Sequence, residues 1–326
     1  MKAAIPRPAV VYALLIAVMA ALAALPLANI EIYWILILFL FFVYLAMTNM
    51  WNLVAGYSGL ISLGQPAFIG LAGYSLGVVT LYGLSPFLGI VAGGLLAAAF
   101  AVVVSVPTFR MKGIYFAIGT WIVAEALRIF FNAWRPAEAA AATWGGAGIS
   151  IKAAAGISIV QIYYLALTVG FGSIFLMRLI LKSKLGLELM AIRDNEATAS
   201  SSGVDVFRCK LYSFVIGAFV TGIAAGVFYL FQGHIEPISG FGVNWTIILV
   251  TAVIIGGIGT IEGPIAGTAI AVLLQQLLAR YVGVSLIIQG IILVAIISLT
   301  PRGIVGTIQR SRASRSPLLL AIRRTK

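Results

Sequence analysis

Long apolar runs, broken at short intervals by glycine, proline or a few charges, set the pattern of this chain. A helix needs about 20 mostly apolar residues to cross a hydrocarbon core. On that measure the sequence predicts about ten spans, at 9–26, 31–50, 62–82, 87–107, 113–133, 158–181, 211–231, 244–258, 264–280 and 285–300. The eighth is short and the third is rich in glycine, so these two have the least defined ends. The predicted fold is all-α, a polytopic transmembrane helical bundle with an internal duplication suggested by Gly/Pro-broken segments. The first run follows Lys2 and Arg7. It outlasts the roughly 7–15 residues of a signal-peptide core, and more spans follow it, which favours a retained first helix.

Composition agrees with the pattern. Of 326 residues 62% are hydrophobic and only 9% charged, against about 25% charged in soluble domains. The polar residues needed to cover a water-soluble core of this size are missing. No segment between spans is long enough for a soluble domain, so 1–326 reads as one membrane domain. The largest polar stretches are 134–157 and 182–210, and a basic tail occupies 301–326.

The net charge of +12 could suggest nucleic acid, but its distribution argues for topology. With a cytoplasmic N-terminus, Arg110, Lys112, Lys182, Lys184, Arg193, Arg208, Lys210 and the tail all fall inside, where lysine and arginine concentrate. That places both termini in the cytoplasm and the tail beside anionic lipid. The inverted arrangement would strand nearly all of them outside.

Enzyme chemistry finds little material. Cys209 and His234 are the only residues of their kinds, so neither a disulfide nor a His or Cys metal cluster can form within the chain. The sequence has no G-x-x-x-x-G-K-[ST] phosphate loop and no G-x-S-x-G elbow. Nine carboxylates are few for a catalytic cluster or a proton relay. Glu125 and Arg128, three residues apart within the fifth span, share a helix face. They can form a polar point in a transport path or its outer gate, or a self-neutralising structural pair.

Two short segments have matching layouts. "GYSGLISLGQP" (56–66) and "GGIGTIEGP" (256–264) each carry glycines followed by a Gly-(x)-Pro break, each at a turn between spans in its own half. Such interruptions in corresponding halves point to a substrate pathway in repeat-built transporters. The simpler alternative is close helix packing at small residues. The pathway candidates are Gly56, Gly59, Ser62, Gly64, Gln65, Gly256, Gly257 and Gly259, with Glu125 and Arg128.

The densest polar stretch is "RDNEATASSSGVDVFRCKL" (193–211). Asp194 or Asn195 can cap a helix of about eight residues whose first turn holds Glu196, and Gly203 can end it. A helix so short is unstable alone in water and needs a surface to dock on. Arg193, Arg208 and Lys210 offer charge for a partner's acidic groove; an ordinary solvated loop reads the same way.

Six blocks then carry a family resemblance: "NLVAGYSGLISLGQPAFIGLAGY" (52–74), "GIYFAIGTWIVAEALRI" (113–129), "TWGGAGI" (143–149), "GLELMAIRDNEATASSSGVDVFRCKLYSFVIGAFVTGIAAG" (186–226), "GGIGTIEGPIAG" (256–267) and "TPRGIVG" (300–306). Their order resembles the branched-chain amino acid permeases of LIV-type ABC importers, most of all the larger, M-type subunit. The resemblance implies a bacterial inner-membrane permease without a bound cofactor. It implies a second homologous permease, two ATP-binding subunits that consume ATP, and a periplasmic or lipid-anchored substrate-binding protein. The solute would be a branched-chain or other hydrophobic amino acid; urea, short amides or another small organic solute fit the same class. Segment 182–210 would be the ATPase coupling loop, with Arg193, Asp194, Glu196, Ala197, Gly203, Arg208 and Lys210 at the contact. Here the glycine stands one position late, Thr198 replaces the second alanine, and no Leu-Pro follows. Gln65 occupies a position where many relatives have histidine.

Overall fold

The computed structural model describes residues 8–28, 30–135, 145–278 and 303–307, with positions 288, 290, 291 and 294. Helix α1 (Pro8–Ala24) lies against α6 (Ile159–Lys182). Tyr163 and Tyr164 donate their hydroxyls to the carbonyls of Leu22 and Ala23, at 2.8 and 3.0 Å. Lys182 Nζ donates to the Tyr12 hydroxyl at 2.9 Å.

The axis of the bundle is α2 (Ile32–Asn52), which runs on as a π turn, Leu53–Tyr57. Its second half is buried on all sides, from Phe42 through Tyr57, as expected for a helix that is apolar all round. Around it stand α6, α9 (Val206–Gln232), α11 (Asn244–Gly256) and α12 (Gly263–Leu278). A second group joins α9 to α3 (Gln65–Leu81) and α4 (Pro86–Thr108). Glycines let these three backbones close up. A Cβ on Gly93 would stand 2.9 Å from the Ala72 carbonyl oxygen, and one on Gly222 would stand 3.0 Å from the Gly94 Cα. Small residues at helix contacts serve this purpose in membranes. Helix α5 (Ile114–Ala133) is peripheral, with Phe116, Ala117, Thr120, Ala124 and Phe131 its only buried residues.

Among the described residues, six helical segments are long and apolar enough to cross a membrane: Ile32–Tyr57, Pro86–Thr108, Ile114–Ala133, Ile159–Lys182, Val206–Gln232 and Pro237–Gly256. The last includes α10 (Pro237–Gly240) and lengthens the short eighth span. Shorter apolar helices occupy Tyr12–Ala28, Gln65–Leu81 and Gly263–Leu278. Nine of the ten expected spans thus carry apolar helix, and the tenth lies almost wholly outside the described residues, as does most of the basic tail. The protein is a polytopic helical membrane protein. The third span starts at Gln65 rather than 62, because the backbone from Ser58 to Gly64 is not helical.

Segment 182–210 is more ordered than a loop with one short helix. It folds as α7 (Lys184–Asp194) and α8 (Glu196–Ser201), with the break at Asn195. These helices share one end of the bundle with the turns around 58–60 and 109–113. Arg110, Lys112, Lys182, Lys184, Arg193, Arg208 and Lys210 therefore gather at that end. At the other end β1 (Ile149–Ser150) pairs antiparallel with β2 (His234–Ile235).

Candidate functional site at the crossing of two broken segments

The two glycine-proline breaks, about 200 residues apart in sequence, cross each other at the basic end. Asn52, in the last turn of α2, holds them together. Its Oδ1 accepts from the Gly259 N–H at 2.8 Å, and its Nδ2 donates to the Thr260 carbonyl at 2.8 Å. The amide is fully buried, so both bonds form where water does not compete for them. The fit leaves no room for a side chain at Gly56, where a Cβ would stand 2.6 Å from the Gly259 nitrogen and 2.9 Å from its Cα. Gly59 (φ +74°) and Gly259 (φ +72°) turn the two chains in the left-handed region, which glycine enters without steric cost.

The stretch after the π turn is strapped in place by neighbouring helices. Trp51 Nε1 donates to the Ser62 carbonyl at 2.8 Å, and Thr246 Oγ1 donates to the Leu63 carbonyl at 3.1 Å. Thr120 Oγ1 accepts from the Leu63 N–H at 3.1 Å. Ser62 Oγ accepts from the Gly64 N–H at 3.2 Å. Gly64 packs on the Thr120 backbone, where a Cβ would lie 2.8 Å from the carbonyl oxygen. Gln65 is buried, and its Oε1 has no hydrogen-bond partner among the described residues. Gly256 abuts the Gly263 backbone, closing the second break on itself, and Gly257 turns it at φ +124°. The eight glycine, serine and glutamine candidates thus belong to two segments that touch.

Arg193, the second-to-last residue of α7, reaches this crossing. Its Nη1 donates to the Gly56 carbonyl at 3.1 Å, while Nε and Nη2 donate to Asp194 Oδ1 at 3.2 and 3.0 Å. A Cβ on Gly259 would lie 3.3 Å from the same Nη1. One guanidinium therefore bonds the polar segment to the first break and lies beside the second.

Helix α8 follows at once. Asn195 Oδ1 caps it by accepting from the Thr198 N–H at 3.0 Å. Its end is a Schellman arrangement, with Gly203 N–H bonded to Ser200 and Val204 N–H to Ala199, at 3.0 and 3.1 Å, and Gly203 at φ +87°. This geometry satisfies the last carbonyls and needs a left-handed residue. Lys210 Nζ, nearly buried, pairs with the half-exposed Glu196 carboxylate at 2.7 Å and pins α8 to α9. Arg208 pairs with Asp205 at 3.1 Å within one turn of α9. The three cations expected to offer charge to a partner each also pair with a carboxylate within the chain. Ala197 and the pairs at 193–196 and 210 line an open cleft of about 690 Å³, which also takes in Gly59, Phe109, Lys112 and Ser200.

Glu125 and Arg128 stand apart from the crossing. Arg128 Nε donates to Glu125 Oε2 at 2.9 Å, and Nη2 donates to Oε1. The pair is on the exposed flank of α5, while Thr120, on the buried side, is the α5 residue that touches the first break.

Two contributors to the crossing, and one ionisable residue within a span, escaped the sequence reading. Asn52 was counted only as the start of a motif, yet it makes the bonds that join the halves. Helix α7 had a readable signal, Leu185, Leu189 and Ile192 at helical spacing, and the last two are buried. Arg178 lies inside the sixth span, and its buried Nε has no hydrogen-bond partner among the described residues.

Comparison with known proteins agrees with this architecture. The chain is 26% identical over 283 residues to the high-affinity branched-chain amino acid transport system permease protein LivM of Escherichia coli (strain K12), and 25% identical over 283 residues to that of Salmonella typhimurium. Each match covers 78% of this chain and 65% of the relative, so the chain spans just under two thirds of their length. The permease protein LivH of Escherichia coli (strain K12) is 29% identical over 126 residues, 38% of this chain and 40% of the relative. No solved structure matches. The family profile described as branched-chain amino acid transport system / permease component matches residues 32–298, and the chain belongs to that family.

Proposed function

We propose that this chain is the M-type permease subunit of an ABC importer that carries branched-chain or other hydrophobic amino acids inward. In this reading the whole of 1–326 is one transmembrane domain in a bacterial inner membrane, with both termini and the basic end in the cytoplasm. A second homologous permease completes the path, a periplasmic or lipid-anchored protein delivers the solute, and two ATP-binding subunits dock on the basic end. The chain itself binds no cofactor; ATP is consumed by those partners. Membrane lipid covers the outer faces, and nucleic acid has no part.

The observation that carries the reading is Arg193. It extends from the segment expected to meet the ATPase to the Gly56 carbonyl, at the crossing of the two breaks. Movement of α7 and α8 is then movement of Gly56, and through Asn52 of Gly259 and Thr260. Interior packing of this density switches between discrete arrangements rather than deforming continuously. The crossing serves as the inner gate, with Gly56, Gly59, Ser62, Gly64, Gln65, Gly256, Gly257 and Gly259 along its walls. Asp194, Glu196, Ala197, Gly203, Arg208 and Lys210 shape the surface on which the ATPase sits.

The test is reconstitution of the chain with its sister permease, ATP-binding subunits and binding protein in liposomes, followed by uptake of labelled leucine. Uptake is expected only with ATP and all partners present. Gradient-driven uptake by this chain alone refutes the reading, and uptake competed by urea or short amides but not by leucine refutes its amino-acid half.

A further inference from the structure

Helices α4 and α5 both expose a long flank, and the two flanks differ in kind. That of α4 is wholly apolar: Phe87, Leu88, Val91, Leu95, Leu96, Val102, Val103 and Val106 are all exposed, which suits lipid. Helix α5 also exposes apolar Ile122, Ile129 and Phe130, but beside them it carries Ile118, Trp121, Glu125, Arg128 and Asn132, spaced 3, 4, 3 and 4 residues apart. This spacing makes one nearly straight seam along a helix. Ile118 is 43% exposed and Trp121 46%, and the Glu125 and Arg128 side chains are 40% and 33% exposed.

Glu125 is the twelfth of twenty residues in α5. At 1.5 Å per residue it stands about 17 Å from the start of the helix, near the middle of a core about 30 Å thick. Ionisable side chains at that depth face protein or a water-filled space, not hydrocarbon. The pair neutralises itself, but a guanidinium has five N–H donors and only two are used on Glu125. The unused donors need a polar neighbour that lipid cannot supply. Asn132 adds an exposed amide to the same line.

The occupant is indicated by the relatives. Escherichia coli (strain K12) holds both a LivM and a LivH permease that match this chain, so two permeases of this family occur together in one cell. We propose that the seam Ile118–Trp121–Glu125–Arg128–Asn132 is where this chain meets its homologous sister permease, with the Glu125–Arg128 pair facing a water-filled path between the two. The proposal rests on the reading of the chain as one of two permeases in an importer.

Spin labels at single cysteines test it. Cys209 is the sole native cysteine, so Cys209→Ser provides the background for Ile118→Cys, Trp121→Cys and Asn132→Cys on α5, with Leu95→Cys and Val102→Cys on α4 as references. Each variant is placed in nanodiscs, alone and as the full assembly, and collision with dissolved oxygen reports lipid exposure. The α5 positions are expected to lose oxygen accessibility on assembly while the α4 positions keep theirs. An intact assembly in which α5 stays as accessible as α4 overturns this proposal and leaves the importer reading standing. Failure of the two permeases to co-purify overturns both. Dipolar broadening between identical α5 labels in the isolated chain identifies a second copy as the occupant and also overturns it. As a second arm, Glu125→Leu combined with Arg128→Leu is expected to abolish uptake by an assembly that is still inserted and intact. Unchanged uptake places the pair against lipid and refutes the path.

Discussion

Gly56→Ala is the sharpest probe of the crossing, because one added methyl meets both the Asn52 side-chain oxygen and the Gly259 backbone. Its Cβ would lie 2.6 Å from the Gly259 nitrogen, and ordinary contact begins at 3.4 Å, so the two breaks must separate by about 0.8 Å. The Gly259 N–H to Asn52 bond is 2.8 Å, and that displacement carries it beyond hydrogen-bonding range. The Asn52 to Thr260 bond shares the same amide and is lost with it. Overpacking costs about 1–3 kcal/mol, and two lost bonds about 0.5–1.5 kcal/mol each. The closed crossing is therefore destabilised on the order of 2–6 kcal/mol. Gly172→Ala is the control, since a Cβ there meets nothing within 4 Å. Thermal unfolding of the purified permease and ATP-dependent leucine uptake in the reconstituted assembly read the effect. Gly56→Ala is expected to lower the midpoint and lose most uptake, and Gly172→Ala to leave both unchanged. Equal behaviour of the two variants would refute the account of the crossing.

The other predictions concern α8 and its support. Glu196→Gln leaves Lys210 buried without its counter-ion, whereas Lys210→Met leaves a half-exposed carboxylate that water can solvate. The first is expected to cost roughly 1–3 kcal/mol and the second less than about 1 kcal/mol, and a reversed order in denaturation midpoints would contradict the burial argument. Asn195→Ala removes the cap on Thr198 at about 1 kcal/mol, and hydrogen exchange should quicken across 196–201 while α7 keeps its protection. Gly203→Pro removes an N–H bonded to Ser200 and a φ of +87° that proline cannot adopt. The permease should remain inserted but bind its ATPase poorly, as judged by co-purification.

Most of the architecture could be read from the chain, because hydrophobic length is a local property and membrane helices depend on it. Caps and stops were equally local. Asn195 and Gly203 bound α8 as their chemistry suggested, and the resemblance of six blocks identified the family before any geometry. What the sequence left hidden is long-range. That Asn52 would meet Gly259, and Arg193 Gly56, depends on how α2, α7 and α11 pack, and no periodicity encodes a contact across 207 or 137 residues. Helix α7 was passed over because its charges and Gly186 hide a short apolar stripe inside a polar segment. Arg178 was overlooked because it sits three residues from the end of a span, 158–181, that is otherwise uncharged. The pairing of Arg193, Arg208 and Lys210 with carboxylates of their own chain was hidden for a related reason. Charge can be read from sequence, but pairing depends on which carboxylate folds within reach.

The central claim is that ATP hydrolysis on a partner reaches the crossing through Arg193. In the reconstituted assembly, Arg193→Leu removes the bond to the Gly56 carbonyl, a charged hydrogen bond worth about 1.5–3 kcal/mol. That is roughly tenfold or more in the coupling equilibrium. Leucine transported per ATP hydrolysed, measured on the same liposomes, is the decisive quantity. The account predicts that hydrolysis and ATPase binding persist while this ratio falls about tenfold or more; a ratio equal to that of the unaltered protein would contradict it.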